Sequence, residues 1–170
     1  MRVSQNLLVP LIAFSCFVEA ARANSRLICL DAGIQARLTS NQIVTLCGGA
    51  DTDAPIRCLG YISETNLTQR QKVRLCQNAP SDAPFRCFKD STGRGLTVDQ
   101  QITLCVQATS SAVNQCFDAS AQFSLTNDQR TLLCSNAINW DNVIQCFSGS
   151  ADRGLSVDER VSLCTANPPS

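Results

Sequence analysis

Residues 87–105 read CFKDSTGRGLTVDQQITLC, a cysteine followed by a large apolar residue, a glycine-broken turn, a threonine, and a second cysteine. Thr97 and Gln100 stand three apart at the head of the last segment, where Ile102, Cys105 and Ala108 recur every three residues. A threonine hydroxyl there accepts from the backbone N–H three residues on, while the glutamine side chain reaches back to the threonine's own N–H. That reciprocal pair is a capping box, and it starts a helix. A period of three is helical, not the alternation of a strand.

The pattern recurs in phase along the chain. Ten cysteines fall at 29, 47, 58, 76, 87, 105, 116, 134, 146 and 164; the spacing of 18 alternates with spacings of 11, 11, 11 and 12. Five units follow: 29–57, 58–86, 87–115, 116–145 and 146–170. Each holds the same cap, as Thr39 with Gln42, Thr68 with Gln71, Thr97 with Gln100, Thr126 with Gln129, and Ser156 with Glu159. Val44, Cys47 and Ala50, with Leu46 beside them, and Val73, Cys76 and Ala79 give the expected buried faces of the first two units. Two residues before the cap stand Gly95, Gly154 and Asn66, which tolerate a positive φ; Arg37 and Ser124 depart from that habit.

The first half of each unit also reads as a short helix. A large apolar residue follows its cysteine each time: Leu30, Leu59, Phe88, Phe117, Phe147. Pro55 and Pro84 suit a first helical turn, where an Asp or Ser just before them, as in Asp53-Ala54-Pro55 and Asp82-Ala83-Pro84, can cap, and Asp141 takes that part in unit five. The fold class is therefore all-α: a compact, solenoid-like tandem array of αα-hairpins of about 29 residues, each stapled by a disulfide, forming one domain over 24–170.

Two pairing schemes respect the repeat. Within units, Cys29–Cys47, Cys58–Cys76, Cys87–Cys105, Cys116–Cys134 and Cys146–Cys164 use all ten; between units, a pair such as Cys47–Cys58 strands Cys29 and Cys164 at opposite ends. The one-residue insertion between Cys134 and Cys146 favours the first, because a change of length is easier to absorb outside a closed ring. The staples matter because aromatics are only 5% of the chain. Helices this short do not hold alone in water.

Residues 1–23 have the form of an export signal. Arg2 precedes an apolar run from Leu7 to Val18, and Ala21-Arg22-Ala23 offers the small-x-small pattern of a cleavage site before Asn24. Cys16, preceded by Ser15, reads as a cysteine of the discarded signal rather than a lipid-bearing residue. The expected destination is a secreted or periplasmic one, and no later stretch is apolar enough to span a membrane. With 14 basic residues against 14 acidic, the chain lacks the positive face that nucleic acid requires.

Catalytic motifs are scarce. The absence of histidine removes the Ser-His-Asp and Cys-His arrangements and the usual zinc enzymes. The cysteines after residue 23 stand no closer than 11 apart, too far for C-x-x-C metal or redox chemistry. Asp51-Thr52-Asp53 reads as a helix cap rather than a calcium pair, and Gly93-Arg94-Gly95 as a turn rather than a phosphate cradle. Asn66-Leu67-Thr68 matches a glycosylation sequon, but Thr68 is one of the repeated caps. We expect no metal and no cofactor.

Two features mark a candidate surface. The residue before each unit's first cysteine runs Arg57, Arg86, Gln115, Gln145, so stacked hairpins would align a ladder of hydrogen-bond donors. Trp140 lies in the one linker with an inserted residue, and tryptophan is favoured at interfaces. Arg57, Arg86 and Trp140 are the expected contacts of a protein, peptide or glycan partner. The competing expectations are a secreted effector or inhibitor, and a hydrolase or lyase using Asp99, Asp128 and Asp158, which recur in first helical turns where the helix dipole alone explains them.

In kind, the architecture is similar to the Sel1-like cysteine-rich repeats, in which a disulfide ties each helix pair. Period and cysteine spacing differ here, so that likeness implies a helical fold and carries over no functional residue.

Overall fold

The computed structural model describes residues 26–50 and 52–166. The expected export signal, the expected cleavage before Asn24, Cys16 and Asp51 lie outside them. Helix α1 covers 26–35. The others are α2 Ser40–Cys47, α3 Ala54–Tyr61, α4 Gln69–Cys76, α5 Ala83–Asp90, α6 Val98–Cys105, α7 Ala112–Ala119, α8 Asn127–Cys134, α9 Trp140–Gly149 and α10 Val157–Ala166. A single 3-10 turn, Ser120–Gln122, follows α7. No strand occurs among the described residues.

Each even-numbered helix begins as its sequence dictates. Thr39, Thr68, Thr97 and Thr126 sit in extended backbone and close both halves of a capping box. Ser156 does the same with Glu159. A lost cap costs about 1 kcal/mol. The odd-numbered helices are capped differently from expectation. Asp53 and Asp82 make no side-chain cap; Thr52, Ser81 and Ser110, one residue earlier, accept from the N–H groups of Ala54, Ala83 and Ala112. In unit five the cap is Asn139, which accepts from the N–H groups of Asp141 and Asn142. The carboxylates of Asp53 and Asp82 are engaged instead by Arg57 and Arg86, one turn on.

Sulfur then closes each hairpin. The five disulfides join Cys29–Cys47, Cys58–Cys76, Cys87–Cys105, Cys116–Cys134 and Cys146–Cys164, with Cα atoms 5.5–5.8 Å apart. Pairing is thus within units. The even-numbered helices lie side by side as one layer, α3, α5, α7 and α9 as the other, and the core runs between them. Leu46, Leu75, Leu104 and Leu133, at one position of units one to four, are fully buried, as are Phe117 and Phe147.

Two further expectations are corrected. Val73, Ile102, Thr131 and Val161 are buried, but Val44 at the same position of unit one is 70% exposed, because among the described residues no unit precedes it. Positive φ before the cap occurs at Gly95, Gly154 and Arg37, while Asn66 does not adopt it. Three more left-handed residues, Asn78, Gln107 and Asn136, stand two past the second cysteine of units two to four. They turn the chain out of the helix, as a C-terminal left-handed residue does. Asn78 also joins units, its backbone N–H donating to Leu46 C=O and its Oδ1 accepting from Gly49 N–H.

A further repeat ties the layers together. Lys72, Arg130 and Arg160 stand at one position of the even-numbered helices, and each donates to a carbonyl at the C-terminal end of its partner helix: Ser63, Phe117 and Phe147. The guanidinium carbons of Arg130 and Arg160 also lie over the Phe117 and Phe147 rings, 3.9 and 4.1 Å from the centroids. A cation at a helix C-terminus is favoured by the dipole, and the ring face adds a second attraction. In unit one the position is Ile43, which fills the space left by Gly33.

Candidate functional site

Arg57, Arg86, Gln115 and Gln145 occupy one position on successive neighbouring helices α3, α5, α7 and α9, and all four are exposed. They form the expected row. Three are held from one turn earlier on their own helix. Arg57 pairs with Asp53, Arg86 with Asp82 at 3.0 Å, and Gln145 donates to Asp141. Exposed pairs of this kind add little stability, about 0.3–0.5 kcal/mol. They do restrict the rotamers of long side chains. Their signal was present in the sequence, as aspartate four residues before each arginine.

Trp140 opens α9 and is half-exposed. Standing five residues before Gln145, it is turned about 140° from the row. Helix α7 separates α9 from the arginine-bearing α3 and α5. The structure therefore places Arg57 and Arg86 at one position of neighbouring helices and leaves Trp140 on a different face of α9, apart from them. Tyr61 is a further exposed ring, stacked on Phe85 at 5.8 Å.

The opposite layer carries shallow grooves between successive helices. One between α2 and α4 has a volume of about 560 Å³ and is lined by Asn41, Thr45, Arg70 and Arg74 among others. Asp99, Asp128 and Asp158 lie on this side, each in a first helical turn. All three serve the joints between units. Arg74 approaches Asp99 at 3.8 Å, Gln100 Nε2 donates to Asp128 at 2.7 Å, and Gln129 Nε2 donates to Asp158 at 2.8 Å.

The best-formed ion pair joins units three and four. Arg94 donates from Nε and a terminal nitrogen to both oxygens of Asp118, each at 2.8 Å. This bidentate contact raises the guanidinium's affinity for its proton and holds the Asp118 carboxyl below the usual carboxylate range. Hydrogen bonds from Ser156 lower the Glu159 carboxyl likewise. In the sequence Arg94 reads only as part of a turn, because its partner is 24 residues away.

Among the described residues, no group of three or more His, Cys, Asp or Glu side chains is placed to hold a metal ion, and no helix is long and apolar enough to cross a membrane. Five disulfides point to an oxidising compartment. Searches of protein-family models, curated proteins and solved structures found no match to the chain.

Proposed function

We propose that the protein is an exported, non-enzymatic scaffold, cleaved before Asn24 and secreted or periplasmic, that offers its odd-numbered helix layer to a protein, peptide or glycan. The observation that carries this reading is the row Arg57, Arg86, Gln115, Gln145, three of whose members are held by an acidic residue one turn earlier. Restricting side chains before binding reduces the entropy lost on association. The row suits a partner with repeated acceptors, such as carbonyls, hydroxyls or carboxylates, and Trp140 supplies a separate apolar contact.

The test is capture from the native compartment on the immobilised, disulfide-bonded protein. Arg57→Ala with Arg86→Ala should weaken retention of the partner about tenfold, the loss of about 1.4 kcal/mol. Trp140→Ala should weaken it independently. Melting should shift little, since substitutions on an exposed surface stay within about 0.5 kcal/mol. Undiminished capture by the triple variant would remove this surface from the reading.

A further inference from the structure

The outer faces of the first and last described units are unfinished copies of the internal joints. Leu46, Leu75, Leu104 and Leu133 are each covered by the unit that follows, whereas Leu163 at that position of unit five is 47% exposed. Val73, Ile102, Thr131 and Val161 are each covered by the unit before, whereas Val44 of unit one is open. A solenoid ordinarily closes its ends with polar faces. Here each end presents the apolar residue that its internal equivalents bury.

The polar residues at the two ends match as well. The Arg94–Asp118 pair joins a residue seven past the first cysteine of one unit to a residue two past the first cysteine of the next. Across the other internal joints those positions carry Ala36 and Gly60, Thr65 and Lys89, or Phe123 and Ser148, none an acid–base pair. At the open ends they are Arg153 in unit five and Asp31 in unit one, both exposed and neither ion-paired among the described residues.

A second match is reversed in sense. Gln100 and Gln129 donate forward to Asp128 and Asp158. Unit five has the acceptor Glu159 where these glutamines stand, and unit one has Asn41, which can donate, where the aspartates stand. Glu159 uses Oε2 for its own cap, which leaves Oε1 in the place of the glutamine nitrogen.

We infer that a second copy of this chain docks its unit one on unit five of the first, reproducing the internal joint between molecules. Arg153 then pairs with the second copy's Asp31, Glu159 accepts from its Asn41, and Leu163 and Val44 are covered. Such a contact joins different faces of the two copies and leaves a free end after each addition, so it propagates rather than closing at a dimer. It uses the ends of the array and is independent of the donor row.

Sedimentation of the disulfide-bonded protein, purified from an oxidising compartment, tests this over a concentration series reaching the millimolar range. The expected result is a mass that keeps rising past two copies. Leu163→Asp should abolish the rise. Arg153→Asp or Asp31→Arg alone should weaken association about tenfold, and the two together should restore it, with all variants melting as the parent does. A monomer throughout the series, a closed dimer, or a double charge reversal that restores nothing would overturn the inference.

Discussion

Replacing Cys87 and Cys105 by alanine opens the ring of the central unit and leaves the other four closed. The bridge spans a separation of 18 residues. In the chain-entropy treatment a ring of that size contributes about 3 kcal/mol by restricting the unfolded chain. Both cysteines are buried, so truncating them also leaves a small void worth about 1 kcal/mol. The sum of about 4 kcal/mol corresponds to a fall in melting temperature of roughly 12 °C for a domain of this size. Circular dichroism at the helical minimum, recorded without reductant, would report it, with free-thiol titration confirming that no exchange has occurred. Five such rings amount to about 15 kcal/mol, whereas a whole domain is stable by about 5–15 kcal/mol. Complete reduction should therefore unfold the protein at room temperature. The reasoning fails if the double variant melts with its parent, or if ten free thiols leave the helical signal and its cooperative loss unchanged.

Thr131 is buried where three other units have Val73, Ile102 and Val161, and its hydroxyl has no hydrogen-bond partner. Thr131→Val should stabilise by about 1 kcal/mol in urea unfolding; a destabilised variant would show that the hydroxyl finds a partner. Gly95 has φ of 68° with open space where a Cβ would stand, so Gly95→Ala should cost about 1 kcal/mol from backbone conformation alone. A neutral result would mean the turn relaxes. Asp118 has its carboxyl lowered by Arg94, so its contribution is present above the unfolded value, near 4, and is lost as pH falls through the lower folded value. Asp118→Asn should flatten the acid limb of stability against pH, and an unaltered limb would assign it to other carboxylates.

The repeat, its helices and the pairing of its cysteines could be read directly from the chain, because each rests on interactions within about 20 residues. Caps at Thr39, Thr68, Thr97, Thr126 and Ser156 announce themselves by a local pattern. What escaped that reading depends on neighbours. Val44 and Val73 occupy the same position, and only the presence or absence of a preceding unit separates exposure from burial. Arg94 and Asp118 face each other across one internal joint, and no other internal joint repeats the pair, so the period does not draw attention to it. The left-handed Gln107 has no side-chain feature that favours positive φ; the need to leave α6 and enter α7 imposes it. The donor row was legible from period alone, while its separation from Trp140 required the helix assignments on either side of α7.

Because every bridge closes inside its own unit, the ten cysteines pair strictly in order of appearance, first with second, third with fourth, and onward to Cys146 with Cys164. A chain threaded amino end first into an oxidant meets each correct mate before any competitor has emerged. Oxidation in step with translocation therefore reaches the native set without any bond being broken and remade, and a disulfide isomerase has nothing to correct.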